Sequence, residues 1–232
     1  KVFFSKGNLY YNGTTFNFEA NQYDTKPSSD GARVENHISH FMWCDNATNA
    51  MALKYEDGWN KDETFFAGKN FTVNGYSGWC TLSTGEWIYL LRTRTGNRFA
   101  KAKINGTSGL LIFPDGYSLP SGYSSDEGTG MSKVNDQFAG FPSENIPDGG
   151  NNKIWPEMEA DGVVFLPAAG YRGGSNRDAN VSDVGSSGYY WSASPSVDSR
   201  AYDWDFLSDF VHPNNDATRN RAQSVRLVTE VK

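Results

Sequence analysis

The stretch Gly188–Val228, GYYWSASPSVDSRAYDWDFLSDFVHPNNDATRNRAQSVRLV, decides how the rest of the chain is read. Two aromatic stretches, a polar stretch and a short apolar one follow each other without helical spacing, so the segment reads as strands joined by turns. Alternation along AYDWDFLSDF puts Tyr202, Trp204 and Phe206 on one face and Asp203, Asp205 and Leu207 on the other. The aromatic face is expected in the core. The carboxylate face is expected to be open to solvent or to a ligand, because two carboxylates are costly to bury without partners. VHPNNDATRNRAQ shows no apolar periodicity and reads as a presenting loop that carries His212, Asp216, Arg219 and Arg221.

Outward from this segment, the 232 residues suit one domain spanning 1–232, with 115–152, rich in Gly, Ser and Pro, as a loop-rich insertion. The composition is 38% hydrophobic and 15% aromatic with 24 Gly, which fits a folded, loop-rich protein and not a disordered one. A net charge of -6 speaks against a nucleic-acid partner, which draws on clustered Lys and Arg. No apolar run approaches the roughly 18 residues of a membrane span. No signal peptide is visible at Lys1, so a lipid anchor or export signal is not read from this chain.

The local signals call for many short strands and two helices. Asn12-Gly13 and Asn105-Gly106 are hairpin turns, since both residue types tolerate positive φ. In TLSTGEWIYLLRTRTG, Ser83 or Thr84 caps a helix and Glu86 lies in its first turn. Trp87, Leu90 and Leu91 form its apolar stripe, Gly96 ends it, and its arginines face water. IWPEMEADG gives a second short helix with Pro156 early and Gly162 past its end, and VVFLPAAGYR a buried strand. HISHFMWCDNATNAMALKYEDGW is read as irregular, with room for a short helix.

Cys44 and Cys80 are a disulfide candidate that would close a long loop and stabilise by about 2 to 4 kcal/mol. The alternatives are two thiols, or a zinc site with His37 and His40, whose spacing matches no common structural zinc pattern. Asp178, Asn180 and Asp183 alternate like calcium ligands but lack the rest of an EF-hand, so a solvated loop is preferred and no cofactor or metal is expected. The five glycosylation tripeptides, at Asn12, Asn46, Asn70, Asn105 and Asn180, are read as chance in an Asn-rich chain. No GxSxG elbow positions a nucleophile, and Asp203 with Asp205 reads more simply as solvated charge than as a glycosidase pair. A binding surface remains, as Asp, Asn, Arg, His and Phe suit recognition of polar partners.

The series FSKGNLYY, TLSTGEWIYLLRTR, VVFLPAAGYR, GYYWSASP and SVRLV resembles the Fibrobacter succinogenes major paralogous domain proteins abundant in Bacteroidetes. That resemblance implies an α+β, C-type lectin-like fold of short mixed strands, two helices and long loops. The fold hosts sugar binding, protein binding and, in the formylglycine-generating enzymes, catalysis. The calcium-dependent lectin signatures Glu-Pro-Asn, Gln-Pro-Asp and Trp-Asn-Asp do not occur, and RNRAQSVRLV lacks the reactive cysteines of the formylglycine-generating enzymes. The resemblance therefore implies a non-enzymatic, adhesin-like module, secreted or at the cell surface, for a protein or glycan ligand.

The same fold serves the variable proteins of diversity-generating retroelements, where adenine-directed rewriting of Asn codons never yields Lys, Glu, Gln, Met or Trp. Ser192 to Ala222 contains no Lys, Glu, Gln or Met, and Trp204 alone departs from the pattern, on the core face. On that resemblance, the expected ligand-binding set is Asp198, Arg200, Asp203, Asp205, Leu207, Phe210, His212, Asp216 and Arg219.

Overall fold

A computed structural model describes residues 1–26, 34, 36–44, 64–66, 71–96, 98–121, 123, 141, 145–149, 153–173, 180–197, 199–207 and 209–230, with backbone alone for 64–66. Asp178, Asp198, Asn46, Asn70 and most of 115–152 lie outside them. The protein is α+β, with two helices and several short, mostly antiparallel sheets among the described residues.

The N-terminal region gives β1 (Val2–Phe4), then β2 (Leu9–Tyr11) paired antiparallel with β3 (Phe16–Phe18). The turn between β2 and β3 holds Gly13 at φ 92, and Asn12 Oδ1 accepts from the backbone N–H groups of Thr14 and Thr15. Next come β4 (Met42–Cys44), parallel to β5 (Thr64–Phe66), and the hairpin of β6 (Phe71–Val73) with β7 (Tyr76–Trp79). Asn74 and Gly75 both take positive φ at its turn, a hairpin signal of the same kind as Asn105-Gly106.

The described part of that stretch, HISHFMWC, is extended: bridges at His37, Ile38 and Phe41 lead into β4, and 45–59 lie outside the described residues. His37 Nε2 lies 2.5 Å from Glu19 Oε1 and its ring stacks on Tyr10. His40 is buried and shares a hydrogen bond of 2.9 Å with the carbonyl of Ala169, so the two histidines turn to different partners. The disulfide is not formed. Cys80 packs on the cluster around Trp87 and Trp204, whereas Cys44 continues the strand of Trp43, which belongs to a second cluster.

Helix α1 (Thr84–Ile88) begins with the expected capping box, Ser83 reciprocated by Glu86, and buries Trp87. A π-helical turn, Tyr89–Thr93, follows, and Arg94 leaves it extended at φ -63 and ψ 151. Of the two arginines expected to face water, Arg92 is exposed as read, and this exit turns Arg94 inward. Arg94 is buried and donates to the carbonyls of Leu90, Phe113 and Arg98, where a guanidinium has enough acceptors to be held inside.

The hairpin β8 (Phe99–Ile104) and β9 (Thr107–Ile112) turns at Asn105 and Gly106, with φ 47 and 82. Helix α2 (Ile154–Ala160) and β10 (Val164–Pro167) match the sequence reading, and β10 adds antiparallel to β9. The last elements are β11 (Gly188–Pro195), β12 (Arg200–Phe206), β13 (Val211–Thr218) and β14 (Val228–Glu230). β11, β12 and β13 form one antiparallel sheet, and β14 closes back on β1.

Arg226 fastens the two ends of the chain. It is 0% exposed and donates to the carbonyls of Ser5, Gln22 and Phe165. Burial pushes its guanidinium down to about 10, opposed by the nearby Tyr190, Glu159 and Glu19. No described helix is long and apolar enough to cross a membrane.

Candidate functional site

The β11–β12–β13 sheet has two unlike faces. Tyr190, Trp204 and Phe206 lie on one, packed with Trp87, and Gly188 is the only residue type that fits opposite Phe206, because a Cβ there would meet the ring at 2.3 Å. The second face carries Trp191, Asp203 and Asn215 in one row and Tyr189, Asp205 and His212 in the next. The expected aromatic core face is therefore present.

The carboxylate face departs from expectation. Asp203 is 1% and Asp205 4% exposed, so neither is open to solvent. They are buried because partners arrive from elsewhere in the chain. Gln223 Nε2 donates to Asp203 Oδ2 at 2.6 Å, and Asn215 Nδ2 donates to Asp205 Oδ2 at 2.8 Å. Asp205 Oδ1 lies 3.1 Å from His212 Nδ1, an ion-pair contact without hydrogen-bond geometry. Burial raises both carboxyls. For Asp203 the result is about 7, with the neighbouring Asp205 adding to the rise and Gln223 and Arg221 opposing it. For Asp205, His212, Asn215 and Arg221 oppose the rise.

VHPNNDAT is a strand and not a loop: it pairs antiparallel with β12, with Val211, Pro213 and Ala217 buried. Its side chains form the rim above the carboxylates. Phe210 is half-buried and its ring stacks on His212 at 4.1 Å. Arg221 lies flat over Tyr171 at 3.6 Å and near Tyr189 at 4.6 Å, and its Nε is buried without a hydrogen-bond partner. These contacts add Asn215, Gln223, Arg221, Tyr171 and Tyr189 to the group, none of which was in the expected set. Asn215 reaches the group only through the bulge in β13, which sends Val211 to the cluster of Phe206 and Ala217 to that of Trp191. Gln223 and Tyr171 left no local trace.

The expected set divides. Asp203, Asp205, Phe210 and His212 come together. Arg200 and Asp216 instead pair with each other at 2.7 Å, on the face of Tyr202, and Ser196 donates to Asp216. The Arg200 hydrogen bond holds Asp216 below the usual carboxylate range. Arg219 sits between the groups, with Nε donating to the carbonyl of Arg200 and its guanidinium 4.7 Å over Trp43. Leu207 is half-buried at the end of β12, where its N–H donates to the carbonyl of Phe210. Asp183 occupies a turn at φ 62. Among the described residues, no group of three or more His, Cys, Asp or Glu is arranged to hold a metal ion.

Residues 134–228 match the profile of a family described as a domain of unknown function (DUF8237). No curated protein and no solved structure matches the chain. The matched segment contains α2 and β10 to β13, and with them the carboxylate pair and its partners.

Proposed function

We propose that the chain is a non-catalytic recognition module of C-type lectin-like fold, a single domain over 1–232, that binds a protein or glycan ligand outside the cell. It acts in secreted or surface-displayed form, as an adhesin does. The observation that carries this reading is the Phe210–His212 stack set over the buried Asp205, with the half-buried Arg219 in the turn after β13 and the Arg200–Asp216 pair on the other face of β12 and β13. Rigid strands hold aromatic and polar groups at partial exposure, an arrangement suited to contact with a polar partner. Asp203 and Asp205 then serve as the floor beneath the contact residues. The absence of Lys, Glu, Gln and Met from Ser192 to Ala222 supports diversification of this surface by a retroelement.

The test is a glycan and protein array probed with the wild-type chain and with a triple variant, Phe210→Ala, His212→Ala and Arg219→Ala. Ligands bound by the wild type are lost from the variant; equal binding by both removes the site. Sequencing of the locus checks diversification, which requires a nearby template repeat and a reverse transcriptase.

A hydrolytic enzyme is the second reading, favoured by one feature: burial pushes the Asp203 carboxyl up to about 7 beside a second carboxylate, the range of a general acid. It ranks lower because a substrate would have to reach a side chain that is 1% exposed.

A further inference from the structure

Asp203 and Gln223 are joined by a single hydrogen bond, from Nε2 to Oδ2. The two other oxygens of this pair, Asp203 Oδ1 and Gln223 Oε1, are both buried and both without a partner. Neither side chain is more than 1% exposed, so bulk water does not supply the missing donor. Two buried acceptors without a donor are a costly arrangement. A carboxylic acid and a primary amide have complementary edges, however: the amide N–H donates to one acid oxygen while the acid O–H donates to the amide oxygen. One proton on Oδ1 satisfies both orphaned atoms.

We propose that Asp203 and Gln223 form a proton-operated latch, in which a proton on Asp203 Oδ1, donated to Gln223 Oε1, closes a two-bond ring between β12 and the segment Ala222–Ser224. The proton comes from solvent and returns to it. With the proton gone, the amide keeps one bond, and Asp203 Oδ1 and Gln223 Oε1 are both left buried without a donor.

The surroundings set the balance. Asp205 on β12 adds negative charge and favours the proton, whereas Arg221 favours the carboxylate. From β11, Tyr189 points its hydroxyl at Asp183, 3.5 Å away, and from β13 His212 is engaged by Asp205. Arg172 meets the latch segment through its backbone, which pairs with Ala222, and Arg219 precedes that segment with its guanidinium over Trp43. Burial outweighs Arg221 and holds the Asp203 carboxyl up at about 7.

Opening the latch has two effects. It loosens β12 from a segment that also pairs with Phe41 and Tyr190, and it places a negative charge beside Asp205 and His212. The proposed binding rim thereby becomes more acidic at its base as pH rises. The latch stands on the Asp203–Gln223 contact and holds whether or not the surface is a recognition site.

The experiment is an NMR titration of the full chain between about pH 5 and 9, following aspartate carboxyl carbons and glutamine side-chain amides. The expected result is a carboxyl midpoint near 7 for Asp203, with the Gln223 amide signals moving at the same midpoint. Asp203→Asn, whose amide reproduces the edge of the protonated acid, holds the Gln223 signals constant over the range. An Asp203 midpoint in the ordinary carboxylate range overturns the latch. So does a Gln223 amide that stays still while Asp203 titrates. The wild-type titration decides the matter without the variant.

Discussion

Asp205 is held between two residues of a neighbouring strand, and the closer is Asn215, whose Nδ2 donates to Asp205 Oδ2 at 2.8 Å. A bulge makes this possible: Asp203 pairs with Asn215 and Asp205 with His212, so the register shifts between them and both β13 side chains reach one carboxylate. Replacing Asn215 by Ala leaves Asp205 Oδ2 without its amide donor. Denaturant unfolding of Asn215→Ala at neutral pH is expected to show a loss of about 1 to 3 kcal/mol. An unchanged midpoint would mean that solvent replaces the amide.

Asp203 makes stability depend on pH. Its folded value of about 7 stands above the 3.8 of the unfolded chain, so between these values the native state binds the extra proton. Stability from this group is full below about pH 4 and is lost as pH rises through 7, by about 4 kcal/mol at most. Asp203→Asn is expected to be more stable than wild type at pH 8 and to have lost this slope. Urea midpoints measured across the range check it.

His40 works in the opposite sense. Burial, reinforced by Arg172, lowers it from 6.5 to about 4, so the unfolded chain binds the extra proton between these values. Its contribution is full above about pH 6.5 and falls away as pH drops through 4, by about 3 kcal/mol. The two slopes oppose each other, and the wild type is expected to show a shallower pH dependence from 4 to 6.5 than either single variant. In His40→Gln, stability should fall more steeply with rising pH; a flat profile in that variant would remove the assignment.

Arg226 joins Ser5, Gln22 and Phe165 through buried hydrogen bonds. Arg226→Met keeps most of the volume but leaves three carbonyls without that donor. A loss on the order of 3 to 5 kcal/mol is expected from thermal or denaturant unfolding, the size seen when one partner of a buried charged network is removed. The β1–β14 pairing lies directly beyond it, so amide exchange at Ser5, whose N–H donates to the carbonyl of Leu227, should quicken as well.

At Gly188 the constraint is space. A Cβ would stand 2.3 Å from the Phe206 ring, so Gly188→Ala is expected to cost about 1 to 3 kcal/mol. Adding Phe206→Leu, which vacates part of the ring volume, should recover some of that loss in a double-mutant cycle. Strict additivity of the two changes would disprove the contact.

Much of the scaffold was legible because its causes are local. The turns at Asn12-Gly13 and Asn105-Gly106, the Ser83–Glu86 box and the Pro156 to Gly162 helix each follow from residues a few positions apart. The hairpin at Asn74-Gly75 carries the same local signal. The candidate site was legible in its members but not in its grouping. Alternation along β12 separated Asp203 and Asp205 from Trp204 correctly, yet gave no hint that Arg200 and Asp216 would pair on the opposite face.

Residue order alone settles where the chain turns, where its helices start and which face of β12 carries the aromatic side chains, since dihedral preference, capping and period-two alternation act over a few residues. Whether a charged side chain ends up inside depends on partners that only folding delivers. Asp203 is buried because Gln223 meets it, Arg94 because the carbonyls of Phe113 and Arg98 lie where a π turn directs it, and Arg226 because Ser5 and Phe165 converge there. A carboxylate or guanidinium carries the same desolvation cost in any sequence, and the tertiary arrangement of acceptors and donors determines where that cost is met.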